Sequence, residues 1–159
     1  MNKRQKNLLI NCIVVLAITI FVAMAMMNVK DWVNRSESFR AMNGLGEEVL
    51  RYRKEYGAVP SESYINEFLP KVPGYPRLTK LRYRARWIDI HCKKDEILAY
   101  NEKNYNTLLF NRGYIVLILE RTDPSDAKIR VEWMDPEQFE PLLKSQQGPI
   151  EKQIHEGDR

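Results

Sequence analysis

Between Leu8 and Met27 the chain runs 20 residues without a charged side chain, with Asn11 and Thr19 as its clearly polar members. At about 1.5 Å per residue, a helix of that length reaches about 30 Å, the hydrocarbon thickness of a bilayer. The pattern then turns amphipathic. From Val29 to Tyr56 there is no proline, and Trp32, Val33, Phe39, Met42, Leu45, Val49, Leu50 and Tyr56 recur at steps of three, four and seven. That spacing is one face of a helix. Glu47 and Arg51 stand four apart as a helical ion pair. Gly44 and Gly46 each cost about 1 kcal/mol against Ala in a helix, so they predict a kink or a close approach of another element. Gly57, then Pro60, end the run with a capping glycine and a residue that cannot continue it. Ser61 caps a short second helix to Leu69, and Pro70, Pro73, Gly74 and Pro76 break it into a loop.

From Leu81 the period falls to two. Leu81, Tyr83, Ala85 and Trp87 alternate with Arg82, Arg84 and Arg86, the signature of a half-buried strand. Ile88 and Ile90 then fall on the arginine phase, which predicts a bulge or burial on both faces near Trp87. Glu96 to Tyr100 reads as a second strand. Thr107 to Glu120 reads as two strands around a turn at Asn111-Arg112-Gly113, and Lys128 to Met134 as the last strand. Asp135, Pro136 and Gln138 have the chemistry of an N-cap, a first-turn proline and a capping box. Phe139, Leu142 and Leu143 form that helix's apolar edge. Beyond Ser145 the sequence is polar with a Gly148-Pro149 break, and a mobile tail over 146–159 is expected. The fold class predicted is α+β, a long helix packed on an antiparallel sheet of four to five strands.

The division that follows is a basic flank at 1–7, a transmembrane helix at 8–28, a folded domain at 29–145 and the tail. Leu8, Ile13, Leu16 and Phe21 lie in the apolar anchor, with Trp32 as an aromatic contact at the far interface or a buried structural residue. A signal peptide has a shorter apolar core followed by small residues. Ala23-Met24-Ala25 supplies such a site, so removal after Ala25 is the alternative to a retained anchor. The length of the run, and the absence of a helix breaker ahead of that site, favour retention. Lys3, Arg4 and Lys6 on one flank, against Lys30 and Arg35 on the other, place the N-terminus inside and the domain outside the cytoplasm.

Charge narrows the partners. The chain carries +4 formally, but from Lys30 onward 22 Lys and Arg face 21 Asp and Glu. The basic excess belongs to the membrane flank, which argues against nucleic acid. Cys12 and Cys92 fall in different phases and form no disulfide framework.

The stretch from Leu50 through Tyr52, Tyr56, Gly57 and Pro60, at the end of a helix that begins as an apolar span, resembles the N-terminal half of type IV pilin-like proteins and pseudopilins. A second stretch carries the same resemblance. Val131, Trp133, Pro136, Glu137, Phe139, Leu142 and Leu143 are similar to the C-terminal signature of a group of pilin-like proteins, with the loop from Arg121 to Lys128 where that signature has an Asp-Gly hairpin. The resemblance implies a pilin-like fold on a bacterial cytoplasmic membrane and an accessory role in a secretion or pilus-like apparatus. Asn7 precedes the apolar run where pilin precursors carry a cleaved Gly, and the run contains no Glu. The prepilin-peptidase motif is therefore missing.

No catalytic constellation emerges. Asp89 and His91 share a strand face as a surface pair, whereas Cys92 points to the other face. His155 lies in the tail, so no metal ligand set is expected. Ser61, Ser63 and Ser125 lack a partnering base. Glu47 and Glu48 diverge by about 100° around a helix and read as solvated charges. Arg82, Arg84 and Arg86 would project from one strand face about 7 Å apart. They either receive an anionic ligand or pair with acids on neighbouring strands, such as Glu96 or Glu132. The expectation is a protein without enzymatic activity, cofactor or metal, acting through protein contacts. Its expected partners are the bilayer, other membrane or secretion-apparatus proteins, and a second copy of itself. Gly44, Gly46 and the three arginines are the candidate interaction residues, and a membrane-tethered module binding an anion through those arginines is the alternative.

Overall fold

The computed structural model describes residues 2–84, 95–103, 112–121 and 127–157. A single helix, α1 (Lys3–Tyr56), carries the chain from the apolar run into the domain. Its 54 residues span about 80 Å. It continues through Gly44 and Gly46 and stops at Gly57, which takes a left-handed φ of 68° and donates its N–H to the Arg53 carbonyl at 2.8 Å. Glycine carries no Cβ penalty in that conformation, which is why the stop was legible. After the turn, α2 (Glu62–Phe68) begins under Ser61, whose Oγ accepts the Tyr64 N–H at 3.3 Å. Two 3₁₀ turns follow, Leu69–Lys71 against α2 and Tyr75–Arg77 against α1.

Four strands form one antiparallel meander in the order β1 (Leu81–Tyr83), β2 (Glu96–Lys103), β3 (Gly113–Arg121), β4 (Lys128–Met134). The number settles at four among the described residues. The expected strand before the turn, the first residue of that turn (Asn111) and the phase slip near Trp87 fall on 104–111 and 85–94, outside the described residues, while Gly113 opens β3. A register shift between Ile97 and Ala99 inserts Leu98 into β2. Leu98 and Ala99 then both serve the core beneath α1, while Ile97 and Tyr100 serve the other side.

The sheet is therefore buried on both faces. Ala41, Met42, Leu45 and Val49 of α1 pack on Ile115, Leu117 and Leu119 of β3. On the opposite face Tyr114, Val116 and Ile118 of the same strand meet Phe139 of α3 (Pro136–Gln146). Burial on both sides explains why Tyr114 to Leu119 reads as an unbroken apolar run rather than an alternation. Tyr114 stacks on Phe139 with ring centroids 3.9 Å apart. Asp135 stands at the N-cap of α3, but its carboxylate makes no capping bond. Instead Oδ1 accepts the indole N–H of Trp133 at 3.1 Å. Beyond Gln147 a further helix, α4 (Pro149–Gly157), occupies the stretch expected as a mobile tail.

Candidate interaction surfaces

α1 has two halves with opposite surroundings. From Ser38 onward its buried positions, among them Ala41, Met42, Leu45 and Val49, recur at three and four and face the sheet. From Lys3 to Met27 every position of it is exposed. Leu8, Ile13, Leu16 and Phe21 are all exposed, Phe21 to 69%, and Trp32 to 65%. The apolar window is unburied throughout, and it is long enough to cross a membrane. Thr19 resolves its own polarity by donating Oγ1–H to the Val15 carbonyl at 2.9 Å. A hydroxyl satisfied within its own helix is what a lipid environment requires. Cys12 is exposed on this same surface.

The arginine strand does not present three guanidinium groups on an open face. Arg82 is exposed on β1, and Arg86 lies outside the described residues. Arg84 is 2% exposed. Its backbone N–H bonds to the Leu98 carbonyl at 2.8 Å, which turns the side chain beneath α3 and α4. There Nε and Nη2 donate to the two carboxylate oxygens of Glu151 at 2.7 and 3.0 Å. Nη1 donates to the Ile97 carbonyl at 2.7 Å and to Gln146 Oε1 at 3.3 Å, and Nη2 reaches the Gln146 carbonyl at 3.3 Å. Every edge of the guanidinium is thus occupied, in the forked geometry that suits Arg and a carboxylate. The acid is neither Glu96 nor Glu132. Glu132 pairs with Arg130 at 3.3 Å. Glu151 comes from the stretch expected as a mobile tail, so the C-terminal helix is pinned to the sheet by a buried charge pair. Removing two charges from water costs several kcal/mol per ion, and pairing must compensate for it.

The two glycines are packing notches. A methyl group on Gly46 would overlap Ile129 Cδ1 and lie 2.8 Å from Leu117 Cδ1, so glycine lets α1 sit directly on β3 and β4. A methyl on Gly44 would meet Val72 Cγ1 at 3.0 Å. Close approach, rather than a kink, is the outcome at both positions. The neighbouring carboxylates also separate in role. Glu47 is exposed, whereas Glu48 is 5% exposed. Glu48 accepts from Arg51 Nη2 at 2.6 Å and from the Tyr64 hydroxyl at 2.5 Å. Arg51 therefore pairs three residues back with Glu48, in place of the expected pair with Glu47. Its hydrogen bonds and charge outweigh burial and hold the Glu48 carboxyl below the usual carboxylate range. The tyrosine cluster over this network, Tyr52 with Tyr56 and Tyr64, has ring centroids 4.5 and 4.7 Å apart.

Asp89, His91, Cys92 and Ser125 lie outside the described residues, as does the side chain of His155. Among the described residues no three His, Cys, Asp or Glu side chains come together as metal ligands. Ser61 Oγ is 2.9 Å from Ser63 Oγ and serves as the helix cap. The architecture, a long apolar N-terminal helix laid on a four-stranded antiparallel sheet, is pilin-like. No family model, curated protein or solved structure matches the chain.

Proposed function

We propose that this chain is a single-pass membrane protein whose apolar helix is retained as an anchor. Its α+β domain is held on the outer face of a bacterial cytoplasmic membrane and works through contacts with other proteins, without chemistry of its own. The observation that carries this reading is the continuity of α1. The same rigid helix whose first half is bare and apolar forms, in its second half, the core wall of the domain. A cleaved signal would have no need to be built into the folded unit. The flank before the span, with Lys3, Arg4 and Lys6, supports an inside N-terminus. A pilin-like architecture supports a place in a secretion or pilus-like apparatus, as an accessory subunit that joins other membrane components. The filled Arg84 site weighs against anion capture through the arginine strand, because its guanidinium is buried and every edge of it is already occupied.

Alkaline extraction of membranes, followed by intact-mass measurement of the pelleted protein, tests the anchor. The expected result is a membrane-embedded species of 18.8 kDa. A soluble species beginning at Met26 overturns it.

A further inference from the structure

We infer that the end of the domain nearest the span rests on anionic phospholipid headgroups through Arg77, Lys80 and Arg112, with Lys30 and Trp32 following the span in the chain. This deepens the anchor reading and rests on it. Three observations meet here, the first of them topological. β2 ends at Lys103 opposite the start of β3 at Gly113, and β4 ends at Met134 opposite Tyr114. β1 begins at Leu81 opposite Asn101. These ends lie together, and α1 reaches them early in its course out of the span. The Arg35 guanidinium lies 4.7 Å from the Trp133 ring, and Glu37 pairs with Arg77 at 2.6 Å. The other end of the sheet is tied to the far end of α1, where the Tyr83 hydroxyl bonds the Pro60 carbonyl at 3.1 Å.

Height is the second observation. Arg35 lies eight residues past Met27, about 12 Å beyond the hydrocarbon edge. The Trp133 ring that meets Arg35 also lies against Gly113, so Arg112, one strand residue further toward the span, sits at about 9 Å. The headgroup layer extends about 5 to 7 Å past that edge. An extended arginine or lysine side chain closes the remaining gap, as these side chains do at membrane interfaces.

Charge placement is the third. Lys80 and Arg112 share one carboxylate, Glu102, at 3.1 and 2.8 Å. Their side chains are 58% and 56% exposed, whereas Glu102 is 22% exposed. The acid lies inward and the two cations outward, so this group carries one positive charge beyond its acid, whereas Arg77 is matched by Glu37. Lys103 is not part of this set. Its ammonium turns inward to the Arg77 carbonyl, and burial lowers its pKa. A basic surface within a Debye length of an anionic leaflet gains about 1 kcal/mol per cation.

The test uses the full chain reconstituted in vesicles, with an uncharged amine acylating reagent and mass-spectrometric quantification. The rate at Lys80 is compared with that at Lys54, an exposed lysine at the far end of α1. In vesicles with about 30% phosphatidylglycerol the Lys80 to Lys54 ratio is expected to fall about fivefold relative to pure phosphatidylcholine. The fall should vanish near 1 M salt, where the Debye length shrinks to about 3 Å. Arg112→Glu, which changes an exposed side chain, should retain the circular dichroism spectrum and abolish most of the fall. Protein that floats with both vesicles at one unchanged ratio overturns this inference and leaves the anchor standing. An equal fall with inorganic phosphate in detergent, without lipid, assigns the site to a soluble anion and also overturns it. Protein that fails to float removes the anchor and this inference together.

Discussion

Arg84 and Glu151 form a buried bidentate pair at 2.7 and 3.0 Å, and the asymmetry of such a pair makes it testable. Glu151→Gln leaves a guanidinium in the interior with no neutralising charge, and is expected to destabilise the domain by about 3 to 5 kcal/mol. That is a large part of the 5 to 15 kcal/mol typical of a folded domain. Joint replacement, Arg84→Met with Glu151→Leu, should recover most of the loss, because two apolar groups need no pairing. Thermal unfolding of the full chain in detergent compares the three proteins. If Glu151→Gln is neutral, α4 is not held as described. Gly46 offers a second contrast. Gly46→Val must push against Ile129 and Leu117 and should cost about 1 to 3 kcal/mol, or more if α1 cannot shift. Gly44→Ala approaches one methyl of Val72 at 3.0 Å and gains about 1 kcal/mol of helix propensity, so it should cost less. The glycines were legible as a pair in the sequence, but their function was not. Whether a helical glycine marks a kink or a contact depends on Ile129, more than eighty residues away.

At the scale of elements, the end of α1 is held by the Glu48 network, and its pH response has a defined sign. The hydrogen bonds and charge of Arg51 depress the Glu48 carboxyl in the folded protein. Such a group contributes stability that is present above its unfolded value, near 4.3, and is lost as pH falls through the depressed folded value. Glu48→Gln should therefore flatten the loss of stability below about pH 4.3, measured by denaturant unfolding at several pH values. An unchanged slope would mean that Glu48 is ionised alike in both states. Elements announced by local chemistry read well from sequence: the Gly57 stop, the Ser61 cap, the strand from Lys128 to Met134 and the Pro136 start of α3. Those fixed by long-range partners did not. α4 carries only Ile150 and Ile154 as large apolar residues, and the exposed Ile150 is not what docks it. Its single buried residue among Glu151, Lys152 and Gln153 is the acid itself. The arginine phase of β1 called for an acid, but Glu96 and Glu132 on neighbouring strands were the acids the sequence offered, and the partner is Glu151. Asp135 likewise carried capping chemistry, but Trp133, two residues earlier, claims its carboxylate.

For the whole molecule the determining feature is the division of α1 into a bare apolar half and a half built into the core. Removing the first half would leave the domain's core residues, from Ala41 onward, in place. It should also turn a detergent-requiring protein into one that fractionates with the soluble phase. The central claim is that this half stays in the bilayer with the domain outside. Proteinase K added to intact spheroplasts, with detection at both ends of the chain, tests it most directly. The domain should be digested from outside while a short N-terminal fragment, carrying the basic flank and the span, stays protected in the membrane. A domain that resists digestion until the membrane is dissolved, or one recovered free of the membrane without its first 25 residues, contradicts it.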